Sequence, residues 1–66
     1  MVIILNGKEI EIADDLSVQG LLDARELKTD SVVVELNKEI ILTDAFGETQ
    51  LNDGDHLEVL RFVGGG

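Results

Sequence analysis

The stretch Met1-Val2-Ile3-Ile4-Leu5-Asn6-Gly7-Lys8-Glu9-Ile10-Glu11-Ile12-Ala13 decides how this chain folds. Asn6-Gly7 is the dipeptide that best tolerates the positive φ angles of a two-residue type I′ turn, so the residues on either side are predicted to form a β-hairpin. Pairing Leu5 with Lys8 sets Ile3 opposite Ile10 and Met1 opposite Ile12 on one side, with Ile4 opposite Glu9 and Val2 opposite Glu11 on the other. One side is wholly apolar at its centre and the other mixed, the pattern of a sheet covered on a single face.

Outward from the hairpin, Asp14, Asp15 and Ser17 form a polar break that supplies an N-cap. Val18, Leu21, Leu22 and Leu27 follow at helical spacing, predicting a helix over Ser17–Leu27. Gly20 costs that helix about 1 kcal/mol relative to alanine, so packing must stabilise it. Val32–Leu36 is β-branched and strand-like, Asn37-Lys38 signals a turn, and Glu39–Leu42 is a short return strand. Thr43–Gly47 reads as one helical turn. Asn52-Asp53-Gly54-Asp55 is a dense turn signal ahead of a last strand, Leu57–Val63. This order predicts an α+β roll, a mixed sheet of four to five strands with one helix across one face. Its expected core is Ile3, Leu5, Ile10, Ile12, Val18, Leu21, Leu22, Val32, Val34, Leu36, Leu57 and Val59. Residues 1–63 are the expected domain, and residues 64–66 a flexible glycine tail.

The 66 residues include no Cys and a single His, His56. A chain this short buries only about 60% of its unfolded surface, and disulfide and thiolate staples are closed to it. Apolar packing must hold it together, and 44% of the residues are hydrophobic. The net charge of −9 argues against nucleic acid and against anionic lipid. No apolar run approaches the roughly 20 residues that span a bilayer, and Met1–Leu5 lacks the basic flank and length of a signal peptide. A cytoplasmic protein is expected. Acidity has two readings, solubility or steering toward a basic partner surface.

Enzyme templates fail on this composition, because nucleophile, base and orienter would have to be assembled without cysteine around one histidine. His56 reads as a solvated surface residue at a strand start. The acidic residues lack the regular oxygen-ligand spacing of a calcium loop, so neither a metal site nor a bound cofactor is expected.

The unusual feature is the ending, Arg61-Phe62-Val63-Gly64-Gly65-Gly66, where a strand runs straight into residues without side chains. Glycine passes through a channel too narrow for a β-carbon, and four extended residues from Val63 reach about 13 Å. The reading is an arm whose tip, the Gly66 carboxylate, enters another protein. At neutral pH that carboxylate is an anion that resists nucleophilic attack, so it must first be activated. Adenylation by ATP in a partner, then attack by sulfide or a persulfide, would convert it to a thiocarboxylate. By strand parity Leu60 and Phe62 point away from the helix, as do Val2, Ile4 and Val33. They form an expected apolar partner-binding face.

Leu5-Asn6-Gly7, Val34-Glu35-Leu36-Asn37-Lys38-Glu39-Ile40, and Asp53-Gly54-Asp55 leading to Val59-Leu60-Arg61-Phe62-Val63-Gly64-Gly65-Gly66 together resemble the ThiS family, the sulfur carriers of bacterial thiamine biosynthesis, over the whole chain. The resemblance implies a ubiquitin-like β-grasp fold and an adenylating partner related to ubiquitin-activating enzymes, which would use the ATP. It also implies transfer of sulfur from a Gly66 thiocarboxylate to thiazole synthase. By position Gly65 and Gly66 match the family's diglycine, and Leu60 and Phe62 its partner-facing strand. Leu42-Thr43-Asp44-Ala45-Phe46 departs from the proline and aromatic or basic residues of many relatives. Other readings of the same ending are the small subunit of molybdopterin synthase, commonly longer, a ubiquitin-like modifier joined to lysines, and a binding module with inert glycines.

Overall fold

A computed structural model of the chain describes residues 1–62. The expected domain boundary at residue 63 and the expected tail Gly64, Gly65 and Gly66 lie outside the described residues.

The hairpin forms in the predicted register. β1 (Val2–Leu5) and β2 (Lys8–Glu11) pair antiparallel with Ile3 opposite Ile10 and Leu5 opposite Lys8. Asn6 (φ +50°) and Gly7 (φ +84°) both adopt the left-handed conformation that a type I′ turn needs. β3 (Val32–Leu36), β4 (Glu39–Ile41) and β5 (His56–Arg61) complete one five-stranded sheet in the order β2-β1-β5-β3-β4. β1 and β5 run parallel side by side and every other pair is antiparallel, giving the mixed sheet that the sequence predicts.

The helix is shorter than predicted, α1 spanning Val18–Ala24 rather than Ser17–Leu27. Ser17 is its N-cap, its Oγ accepting from Gly20 N–H at 3.0 Å. The far end is closed by Glu26 at φ +58°. Glu26 N–H donates to Asp23 O at 3.1 Å and Leu27 N–H to Leu22 O at 2.9 Å, the paired bonds of a Schellman stop. The stop turns Leu27 back against the core instead of extending the helix. Gly20 has a packing reason as well: a β-carbon there would lie 2.7 Å from Leu16 Cδ1.

Val18, Leu21 and Leu22 pack against Ile3, Leu5, Val32, Val34, Leu57 and Val59 of the sheet. Of the expected core, Ile10, Ile12 and Leu36 are only partly buried, at its margin. Two residues outside the expected set are central, Phe46 (1% exposed) and Leu51 (3%). They belong to the segment after β4, which makes a 3₁₀ turn at Thr43–Ala45 and then crosses the start of α1. There Thr49 O accepts from Val18 N–H at 2.9 Å and Phe46 O from Gln19 N–H at 3.0 Å. With Ser17 these carbonyls satisfy amides of the first helical turn that have no intrahelical partner, so the segment caps α1 while Phe46 fills the core. Among the described residues no helix is long and apolar enough to cross a membrane.

Candidate functional site

β5 carries the candidate site, and three turns converge to hold it. Gly54 at φ +86° makes the bend before it, where Asp53 Oδ1 accepts from Val2 N–H at 2.7 Å and Asp55 Oδ2 from Asn52 N–H at 2.7 Å. Asn37, in the β3–β4 turn, accepts from His56 N–H at 2.9 Å through Oδ1 and donates to Asp55 Oδ1 at 3.1 Å. Asn6 holds the middle of the strand. β1 ends at Leu5 opposite Leu57, so Val59 has no β1 residue to pair with. The Asn6 carboxamide takes that place, accepting from Val59 N–H at 2.8 Å and donating to Val59 O at 3.3 Å. The strand that leads into the glycines is thus pinned at its start and centre by side chains from turns the sequence marks for backbone reasons alone.

On the sheet face away from α1, Leu60 is 59% exposed, Phe62 50% and Val33 38%. Register makes neighbours of them: Val33 lies opposite Leu60, and Phe62 N–H donates to Ser31 O at 3.2 Å, one step along. Two further exposed apolar residues join the patch. Val34 opposite Ile41 sets Leu42, one residue past β4, beside Val33, and Ile40 lies opposite Glu35. Sequence reading left Ile40 and Leu42 out of the face, although their alternation with Ile41 carried the signal. Val2 and Ile4 share the outward face but not the patch. Ile4 pairs with His56, four residues before Leu60 and so about 13 Å away along the strand; both are half-buried beside Glu9 and Glu11.

An acidic row separates the two ends of the face. Glu35 and Glu58 stand directly opposite each other on β3 and β5, a like-charge pair that opposes sheet pairing. His56 is exposed at the start of β5. Among the described residues no group of three or more His, Asp or Glu side chains is placed to hold a metal ion. Gly64, Gly65 and Gly66, the expected tail and sulfur-carrying tip, lie outside the described residues. The arrangement presents an apolar surface on and beside β5, suited to docking.

A sequence model described as the ThiS family matches residues 3–66 of the chain. The sulfur carrier protein ThiS of Bacillus subtilis is 43% identical over 63 residues, covering 94% of this chain and 96% of that protein. A thiazole synthase of Paramagnetospirillum magneticum is 35% identical over all 66 residues, and there the chain spans only 20% of the relative's length. The crystal structure of a thiamine biosynthesis protein (ThiS) from Geobacter metallireducens superposes with a TM-score of 0.85 at 40% identity, with all of both chains covered. The mixed sheet crossed by one helix is the β-grasp architecture shared with that protein.

Proposed function

The chain belongs to the ThiS family, and on that footing we propose that it is a sulfur carrier of thiamine biosynthesis whose working group is the carboxylate of Gly66. In this reading an adenylating partner binds ATP and the carboxylate. A carboxylate oxygen attacks the α-phosphorus, pyrophosphate leaves, and an acyl adenylate forms at Gly66. Attack of hydrosulfide on the acyl carbon expels AMP and leaves the thiocarboxylate. If a persulfide attacks instead, an acyl disulfide forms, and a thiol then releases the thiocarboxylate by disulfide exchange. This chain supplies the tether and the docking surface; the partners supply nucleotide and catalytic groups.

The observation that carries the reading is the continuity of β5, pinned by Asn6 and Asn37 and flanked by the Val33, Leu60 and Phe62 patch, with the sequence Val63-Gly64-Gly65-Gly66. Docking through the patch would leave the glycines free to enter a channel with no room for a β-carbon. A thiazole synthase as the receiver of the sulfur is supported by the relative of that name that contains a stretch similar to this whole chain.

The test is intact mass after incubation with ATP, an adenylating enzyme and a sulfur donor. A gain of about 16 Da, oxygen exchanged for sulfur, is expected, and it should vanish when Gly65 and Gly66 are deleted. Equal sulfur loading on a chain extended by one residue beyond Gly66, in which Gly66 has no free carboxylate, would refute the assignment of the working group to Gly66.

A further inference from the structure

Past Leu5 the sheet loses a strand. β1 ends there, opposite Leu57, while β5 runs on to Arg61. On the β3 side Phe62 N–H donates to Ser31 O at 3.2 Å, and on the other side the Asn6 carboxamide takes both backbone groups of Val59, at 2.8 and 3.3 Å. By the alternation of an antiparallel ladder, Val59 and Arg61 therefore direct N–H and C=O away from β3. Asn6 serves Val59, but among the described residues no hydrogen-bond partner stands beside Arg61 on that side. Its N–H and C=O form a short open edge, and such an edge pairs readily with another extended chain.

On the helix side of this edge lies a cavity of about 120 Å³. One water needs about 10–15 Å³ of such space, so a group of several heavy atoms fits. Leu5, Leu22, Leu27 and Val59 give the cavity an apolar lining, and Arg25, the C-cap of α1, and Arg61 line it as well. Both arginines are exposed, and among the described residues neither lies within ion-pair distance of a carboxylate. The whole sequence has five Lys and Arg against 14 Asp and Glu, so two guanidinium groups on one small cavity run against the charge of the molecule. Two planar donors over an apolar floor fit a carboxylate on a short aliphatic stem. A phosphate, polar on every side, gains nothing from that floor.

We propose that this notch receives an extended acidic segment of a protein partner. The backbone of the segment pairs with Arg61 N–H and C=O in the lane that β1 leaves vacant. One Glu side chain enters the cavity, its methylenes against Leu27 and Val59 and its carboxylate on Arg25 and Arg61. Main-chain pairing supplies affinity, and the cavity selects the side chain. The Val33, Leu60 and Phe62 patch occupies the opposite face of the same strand end, so a partner that holds both faces grips β5 from two sides. The site is built from residues 5–61 alone and is independent of the role assigned to Gly66.

The test titrates the isotope-labelled full chain with the blocked peptide acetyl-Thr-Val-Glu-Val-Thr-amide and reads backbone and guanidinium N–H signals. Shifts are expected at Leu22, Arg25, Leu27, Val59 and Arg61, together with slower hydrogen exchange of the Arg61 amide. Affinity should fall about two- to five-fold for each ion pair removed, one in R25A and both in the peptide carrying Gln in place of Glu, while R61K retains part of the binding. Equal affinity for the Gln peptide overturns the carboxylate site, whatever the variants do. An Arg61 amide unmoved at the highest soluble peptide concentration overturns the strand pairing. Shifts confined to Val33, Leu60 and Phe62 place the peptide on the outward patch and overturn the proposal. So does inorganic phosphate that reproduces the same shifts at the same concentration, since the cavity would then be a general anion site.

Discussion

Replacing Asn6 probes the device that aims β5. The Asn6 carboxamide is the partner of both Val59 backbone groups, at 2.8 and 3.3 Å, and its own backbone sits at φ +50°. Asn6→Gly keeps the left-handed turn and removes the side chain. It leaves the part-buried Val59 N–H without its acceptor, a loss of about 1–3 kcal/mol. Asn6→Ala adds the left-handed penalty of a residue with a β-carbon, about 1–2 kcal/mol, for a total of about 2–5 kcal/mol. At 0.05–0.15 kcal/mol per residue a chain of this size has about 3–10 kcal/mol in all, so the alanine variant should lose a large share of its stability. With neither Trp nor Tyr present, urea unfolding is best followed by far-UV circular dichroism, alongside hydrogen exchange of the Val59 amide. The expected order is parent above Asn6→Gly above Asn6→Ala, with faster Val59 exchange in both variants. Variants matching the parent within about 0.5 kcal/mol, or unchanged Val59 protection, would refute the role assigned to the carboxamide.

Phe46→Ala should cost about 3–5 kcal/mol, a third or more of that total, read from urea unfolding by circular dichroism; a loss below about 1 kcal/mol would remove Phe46 from the core. Glu26→Gly, at the left-handed residue closing α1, should raise stability by about 0.5–1 kcal/mol, about 4–8 °C in Tm for each kcal/mol by scanning calorimetry. Glu58→Gln relieves the pair with Glu35 and should stabilise the fold by about 0.2–1 kcal/mol, with the gain shrinking as salt rises. Phe62→Ala should leave Tm nearly unchanged while weakening association with an adenylating enzyme by about 1–3 kcal/mol. Unchanged affinity by titration calorimetry would count against Phe62 as an anchor.

Much of the fold was legible because its signals are local. The Asn6-Gly7 turn and the period-two pattern on either side determine the hairpin register, since a one-residue slip would put Ile3 and Leu5 in water. Parity along Leu57–Phe62 likewise separates buried from exposed residues, and Ser17 marks the start of α1. The glycines after Val63, with the carrier function they suggest, stand in the sequence with no need of a fold.

Tertiary structure decided the rest. Phe46 and Leu51 lie in a segment with no periodicity, so their burial follows from where that segment crosses α1. Where the helix ends depends on Glu26 accepting a left-handed conformation, which propensity alone does not favour. Parity assigns Val2, Ile4, Val33, Leu60 and Phe62 to one face but not to one place. The parallel pairing of Ile4 with His56 moves Val2 and Ile4 away from the patch, and the β3–β4 register brings Ile40 and Leu42 into it. The approach of Arg25 to Arg61 belongs to the same class. These residues are far apart in the chain, and only the packing of a helix end against a strand end brings two positive charges to one cavity.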